Sequence, residues 1–116
     1  YTINGARANI YWNMALENGG LSTWGWVQNS LISVEDGKFV FNPEFYVMKH
    51  FSHFIKRGAR LVAVSGDMSS NTTAFKNPDG SIAAVVLNPF EFEKTVTVGG
   101  KSYVLSPRSF NTFVVE

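Results

Sequence analysis

The spacing of apolar positions changes along the chain, and the changes mark its elements. From Ala8 to Leu16 the residues are largely apolar without alternation, including Ile10, Trp12 and Met14, and the run ends at Asn18-Gly19-Gly20. That pattern predicts a strand buried on both faces, which needs neighbours on both sides. Leu31 to Glu35 and Lys38 to Phe41 flank Asp36-Gly37, a pair that accepts the positive φ angles of a tight turn, so two short antiparallel strands are predicted. Helical spacing then takes over. Asn42 suits an N-cap, Pro43 the first helical position, and Gly58 follows Lys56-Arg57 as a stop. Between them Phe45, Met48, Phe51 and Ile55, with Val47 and Phe54 alongside, occupy one side of a helical wheel. Tyr46, Lys49, His50 and His53 occupy the other, so the helix packs on one side only.

Beyond Gly58 the period becomes strand-like. Arg60 to Val64, Thr72 to Phe75, Ser81 to Leu87, Lys94 to Val98, Ser102 to Leu105 and Phe110 to Val115 are rich in β-branched or aromatic residues. The breaks fall at Gly66-Asp67, Asn77 to Gly80, Gly99-Gly100 and Ser106-Pro107. Short strands about ten residues apart predict an antiparallel sandwich. The expected fold is therefore mainly β, with one amphipathic helix. It divides into 1–30, a first strand and loop; 31–58, a hairpin and helix; and 59–116, the sandwich.

Composition narrows the function classes. At 45% hydrophobic and 16% charged residues the chain has the makings of a packed core. A formal charge of +1 with no Lys/Arg stripe argues against nucleic acid as a partner. No apolar run approaches the roughly 20 residues of a membrane span. Zero cysteines exclude disulfides and thiolate metal sites. Tyr1 is no initiator methionine and no leader pattern follows it, so further sequence is expected upstream.

Candidate chemistry is sparse. Glycoside hydrolysis needs two carboxyl groups about 5 to 5.5 Å apart for retention, and wider for inversion. The nine acids form no convincing pair. Glu17 adjoins a plausible site loop but reads better as a rim carboxylate, while Asp36 and Asp79 precede turn glycines, where aspartate is favoured for local bonding. No catalytic residue is therefore assigned. His50 and His53, at i, i+3, could share an ion but lack a third ligand on their face, so no metal and no cofactor is expected. The tryptophans stand out. Trp12, Trp24 and Trp26 are the candidate substrate-binding residues, because an indole covers the C–H face of a pyranose while nearby amides bind its hydroxyls. An ordinary place in the core is the competing reading.

Tyr11 to Leu16 followed by Gly19-Gly20, then Asn42 to Gly58, resembles the C-terminal end of glycoside hydrolase family 30, which includes glucosylceramidases and β-1,6-glucanases. The resemblance continues through Asn77 to Ser81, Val85 to Asn88 and Ser106-Pro107 to the final strand. It implies that 8–16 is the eighth strand of a (β/α)8 barrel joined to the sandwich, with Trp12 lining the sugar pocket and Trp24 and Trp26 bordering more distal sugar positions. It also implies that the acid/base and nucleophile glutamates of a double displacement lie upstream of Tyr1. The partners it implies are a β-glucoside or β-glucan substrate and the remaining barrel, and the location is secreted or periplasmic. Tyr11 in place of an aspartate, and Leu21-Ser22 after the glycine pair, depart from the vertebrate glucosylceramidase pattern and leave both substrates open. Two other readings are a stand-alone carbohydrate-binding module, with tryptophans on an exposed sandwich face and 8–16 as a sandwich strand, and a purely structural sandwich.

Overall fold

A computed structural model describes residues 4–116; the first three residues of the predicted segment 1–30 lie outside the described residues. Two compact units divide the chain, one of residues 7–49 and one of residues 50–116 with which 4–6 cluster.

In the first unit β1 (Ala15–Glu17), β2 (Ile32–Glu35) and β3 (Lys38–Phe41) form a sheet in that order. β2 and β3 make the predicted hairpin, with Ile32 opposite Phe41, and Asp36 and Gly37 take φ 50° and 71°. β1 runs parallel to β2, with Ala15 opposite Ile32. The strand expected from Ala8 is therefore a correction: only its last two residues and Glu17 are extended strand, and Ile10, Trp12 and Met14 are exposed. The physical reason is pairing. β1 has β2 on one edge and no strand on the other among the described residues. A sequence patterned for burial on two faces thus lacks what would cover it.

The helix α1 (Pro43–Ser52) begins as predicted but stops short of Gly58. Asn42 precedes it without the expected side-chain role. Its Nδ2 donates to the Ser30 carbonyl at 2.8 Å and the Ser33 hydroxyl at 2.9 Å, while its backbone carbonyl accepts the Phe45 N–H. The amide is thus engaged with the segment entering β2, where a carbonyl away from water needs a donor. At the other end Asn77 intervenes. Its Oδ1 accepts the Lys56 N–H at 2.9 Å, and its Nδ2 donates to the Phe54 carbonyl at 3.1 Å. These groups would otherwise continue the helical ladder.

The second unit is the sandwich. One sheet has the order β4 (Arg60–Val62), β5 (Thr72–Lys76), β6 (Ile82–Asn88) and β9 (Ser109–Val115); the other is the hairpin β7 (Lys94–Val98) and β8 (Lys101–Leu105). Neighbouring strands in both sheets are antiparallel, and β6 is covered over its whole length by β9, from Ile82 opposite Val115 to Asn88 opposite Ser109. Ala83, Ala84, Val85 and Val86 on β6 are buried, as an inner strand requires. Val86 from one sheet and Leu105 from the other meet Met68 in the core, with Val96 and Phe113 packed against them. Gly99 and Gly100 turn the β7–β8 hairpin at φ 58° and 76°. A side chain at Gly99 would put its Cβ 2.6 Å from Val115, so this turn needs glycine for space as well as for angle.

The turn between β5 and β6 carries a titration. The Ser81 hydroxyl donates to Asp79 at 2.7 Å and its N–H at 3.0 Å, and these bonds hold the Asp79 carboxyl below the ordinary carboxylate value. Because the folded-state value is depressed, the contribution to stability is full above the unfolded value and is lost as pH falls through the folded one. Ser81→Ala is expected to move the Asp79 midpoint upward in an NMR titration of the carboxyl carbon. An unchanged midpoint would remove the hydroxyl as the main cause.

Candidate functional site

Of the three predicted sugar-binding tryptophans, the structure brings two together. Trp24 and Trp26 stack with ring centroids 5.6 Å apart and planes 23° from parallel. They are 74% and 56% exposed, so within this chain the pair lies outside the core. Trp12 is 89% exposed and stands outside that pair.

The loop holding the pair is built for its shape. Leu21 and Val27 form an antiparallel bridge, and between them the Ser22 N–H donates to the Trp26 carbonyl at 2.9 Å, while the Trp26 N–H reaches the Ser22 hydroxyl at 3.3 Å. Gly25 turns the tip at φ 86°, placing the two indoles on one side of a tight bend. At its base the Gln28 N–H donates to the Gly20 carbonyl at 2.9 Å. The Asn13 amide donates to the Gln28 side chain at 3.2 Å and the Asn29 carbonyl at 3.1 Å. Asn13 was not singled out by sequence, although an amide two residues before β1 is the kind of group that ties a loop to a strand end. Closed this way, the loop offers a rigid aromatic surface with amides near its base. Little side-chain entropy is lost when such a surface meets a ligand.

The acidic residues gather differently from the sequence reading. Glu17, which sequence placed by itself, lines one open cleft of about 440 Å³ with Asn18, Gly19, Val34, Glu35, Asp36 and Gly37. The cleft sits at the C-terminal ends of the parallel β1 and β2. All three carboxylates are exposed. The histidines are held in protein contacts. His50 Nδ1 lies 2.8 Å from the Thr112 hydroxyl and its ring stacks on Phe110, while His53 meets the Phe54 ring edge-on at 4.8 Å between centroids. Among the described residues no group of three or more His, Cys, Asp or Glu side chains is placed to hold a metal ion. No helix among them is long and apolar enough to cross a membrane.

Residues 58–113 match the glycosyl hydrolase family 30 beta sandwich domain, so the chain carries the β-sandwich domain of that family. Its sequence is 35% identical over 92 residues to the lysosomal acid glucosylceramidase of Mus musculus, covering 75% of this chain and 18% of that protein. Over 93 residues it is 31% identical to an endo-1,6-beta-D-glucanase of Aspergillus fumigatus, covering 75% and 18% of the two chains. Among solved structures, SrfJ from Salmonella typhimurium superposes with a TM-score of 0.79 at 25% identity, covering 90% of this chain and 25% of that one. An endo-beta1,6-glucanase shares the fold with a TM-score of 0.76 at 24% identity, covering 89% and 26%. The chain thus spans about a fifth of the length of the curated glucosylceramidase and glucanase it matches.

Proposed function

We propose that this chain is the C-terminal part of a retaining β-glycosidase that cleaves β-glucosidic bonds by double displacement, and that it supplies sugar-stacking aromatic residues and structural support. The observation that carries the binding role is the stacked, exposed Trp24–Trp26 pair on a loop closed by Gly20 and Gln28. An exposed indole pair loses contact with water when the C–H face of a pyranose covers it, and the loop is already ordered for that contact. Likeness to a glucosylceramidase and to endo-1,6-β-glucanases supports a β-glucoside or β-glucan as substrate. The glutamates of the double displacement are assigned to the remaining barrel of the same enzyme, and in this reading that barrel covers the exposed Ile10, Trp12 and Met14. Trp12 then lines the sugar pocket. The stand-alone module places its tryptophans on the sandwich, whereas Trp24 and Trp26 lie in the bend 21–27 and the sandwich starts at β4.

The test is hydrolysis of a chromogenic β-glucoside and of β-1,6-gluco-oligosaccharides by this chain alone and by the polypeptide that joins it to its barrel. The chain alone should be inactive and the joined polypeptide active. Trp24→Ala with Trp26→Ala should raise KM for oligosaccharides about tenfold, equivalent to about 1.4 kcal/mol of lost binding, with kcat little changed. Hydrolysis by the chain alone, or an unchanged KM, would overturn the assignment.

A further inference from the structure

The side chain that follows Trp12 ties the tryptophan loop to the start of the sheet. The Asn13 carbonyl accepts the Leu31 N–H at 3.1 Å and the Met14 carbonyl accepts the Ile32 N–H at 2.9 Å, so this stretch of backbone is fixed to the entry of β2. From that fixed point the half-buried Asn13 amide reaches the returning limb of the loop, donating from Nδ2 to Gln28 Oε1 at 3.2 Å and to the Asn29 carbonyl at 3.1 Å. The bond from the Gln28 N–H to the Gly20 carbonyl and the bridge of Leu21 with Val27 join the two limbs of the loop to each other. Asn13 joins the loop to the strand.

The chemistry of that tie calls for an amide. The Asn29 carbonyl can only accept, so the end of the Asn13 side chain that faces it must donate, and Gln28 presents its own oxygen to the same nitrogen. A carboxylate of the same size would bring only acceptors to a place where both partners are oxygens. Asn13 is also the residue next to the third indole, so the amide that holds the loop of Trp24 and Trp26 shares its stretch of backbone with Trp12. All of these residues belong to one compact unit.

We propose that Asn13 is a positioning residue that sets chain-length selectivity: it holds the stacked Trp24 and Trp26 at a fixed place relative to Trp12, so that a glucan long enough to lie on both surfaces is preferred over a single glucoside. A ligand already held at one surface meets the second without losing its overall freedom a second time, and that advantage lasts only while the spacing matches the ligand. A loop free to swing away from the strand end gives it up. The effect on selectivity rests on the sugar-binding reading of these tryptophans given above, whereas the tie itself rests on the Asn13 hydrogen bonds.

The test measures kcat and KM on a β-1,6-linked gluco-oligosaccharide and on a small chromogenic β-glucoside, with the polypeptide that joins this chain to its barrel. In Asn13→Asp the ratio of kcat/KM on the oligosaccharide to kcat/KM on the glucoside should fall about fivefold, the scale of one net hydrogen bond, through a raised KM for the oligosaccharide. The circular-dichroism couplet of the stacked indoles should weaken with it. Gln28→Glu keeps an acceptor facing Nδ2 and should keep the couplet, which separates loss of the tie from loss of the fold. Gln28→Met keeps the length of the side chain without its acceptor and should lower the ratio about twofold, a second reading should Asn13→Asp not fold. Trp24→Ala calibrates the scale. A ratio lowered by Trp24→Ala but not by Asn13→Asp overturns the role of Asn13 and leaves the sugar-binding tryptophans standing. A ratio unmoved by Trp24→Ala overturns the sugar-binding reading of the pair, and the selectivity assigned to Asn13 with it. An equal fall in kcat on both substrates, with the couplet intact, would make Asn13 a merely structural residue and overturn its positioning role.

Discussion

Replacement of Asn88 by alanine is expected to cost about 3 kcal/mol, because it strips partners from several backbone groups at once and each one left unsatisfied in a buried position costs about 1–3 kcal/mol. The Asn88 amide serves the Phe90 N–H and the Phe92 and Ser106 carbonyls from a position with no solvent access. Among the described residues no buried side-chain nitrogen or oxygen lacks a partner, so the arrangement has no spare donor to take over. For a domain of this size the loss should lower the thermal midpoint by about 10 °C or more. Asn88→Asp should do at least as much damage, since a carboxylate only accepts and would face the carbonyls that the amide now serves. Calorimetric melts of both variants check this. A midpoint within about 2 °C of wild type would show that water replaces the amide.

The second large effect is expected at Gly20. A Cβ there would lie 2.2 Å from the Gln28 carbonyl oxygen, and the backbone is at φ 75°, so Gly20→Ala meets a backbone clash as well as a disfavoured angle. The angle alone costs a non-glycine residue about 1–3 kcal/mol. The bond from the Gln28 N–H to the Gly20 carbonyl closes the base of the tryptophan loop, so the clash should open that loop. Stacked indoles couple their transitions, and circular dichroism should show the couplet of Trp24 and Trp26 weakened in Gly20→Ala. Gly25→Ala is the control: it shares a positive φ, 86°, but its Cβ would meet nothing within 4 Å. It should keep most of the couplet, and equal loss in both variants would show that space at Gly20 does not matter.

Most of the sandwich was legible because its signals are local. β7 lies where the β-branched residues of Lys94 to Val98 placed it, and the Asp36-Gly37 and Gly99-Gly100 turns follow from the angles those residues tolerate. The exposed tryptophans were recognisable as residue types suited to sugars, but their mutual stacking was not. It depends on the bend at Gly25 and the closure at Gly20, which bring residues two apart onto one side.

Sequence alone determined where the strands and turns after the first strand fall and that one helix follows the first hairpin, since these depend on periodicity and turn chemistry. Tertiary structure decided what depends on partners distant in sequence. The expected strand from Ala8 shortened to Ala15–Glu17 because it pairs on one edge only, and the helix ended at Ser52 where Asn77 takes up the Phe54 and Lys56 backbone groups. Asn42, expected to cap a helix with its side chain, instead binds Ser30 and Ser33. Asn88, unremarkable in sequence, holds a phenylalanine pair in place. An amide's hydrogen bonds go to whichever buried backbone groups the fold brings within about 3 Å, and no periodicity in the sequence encodes that.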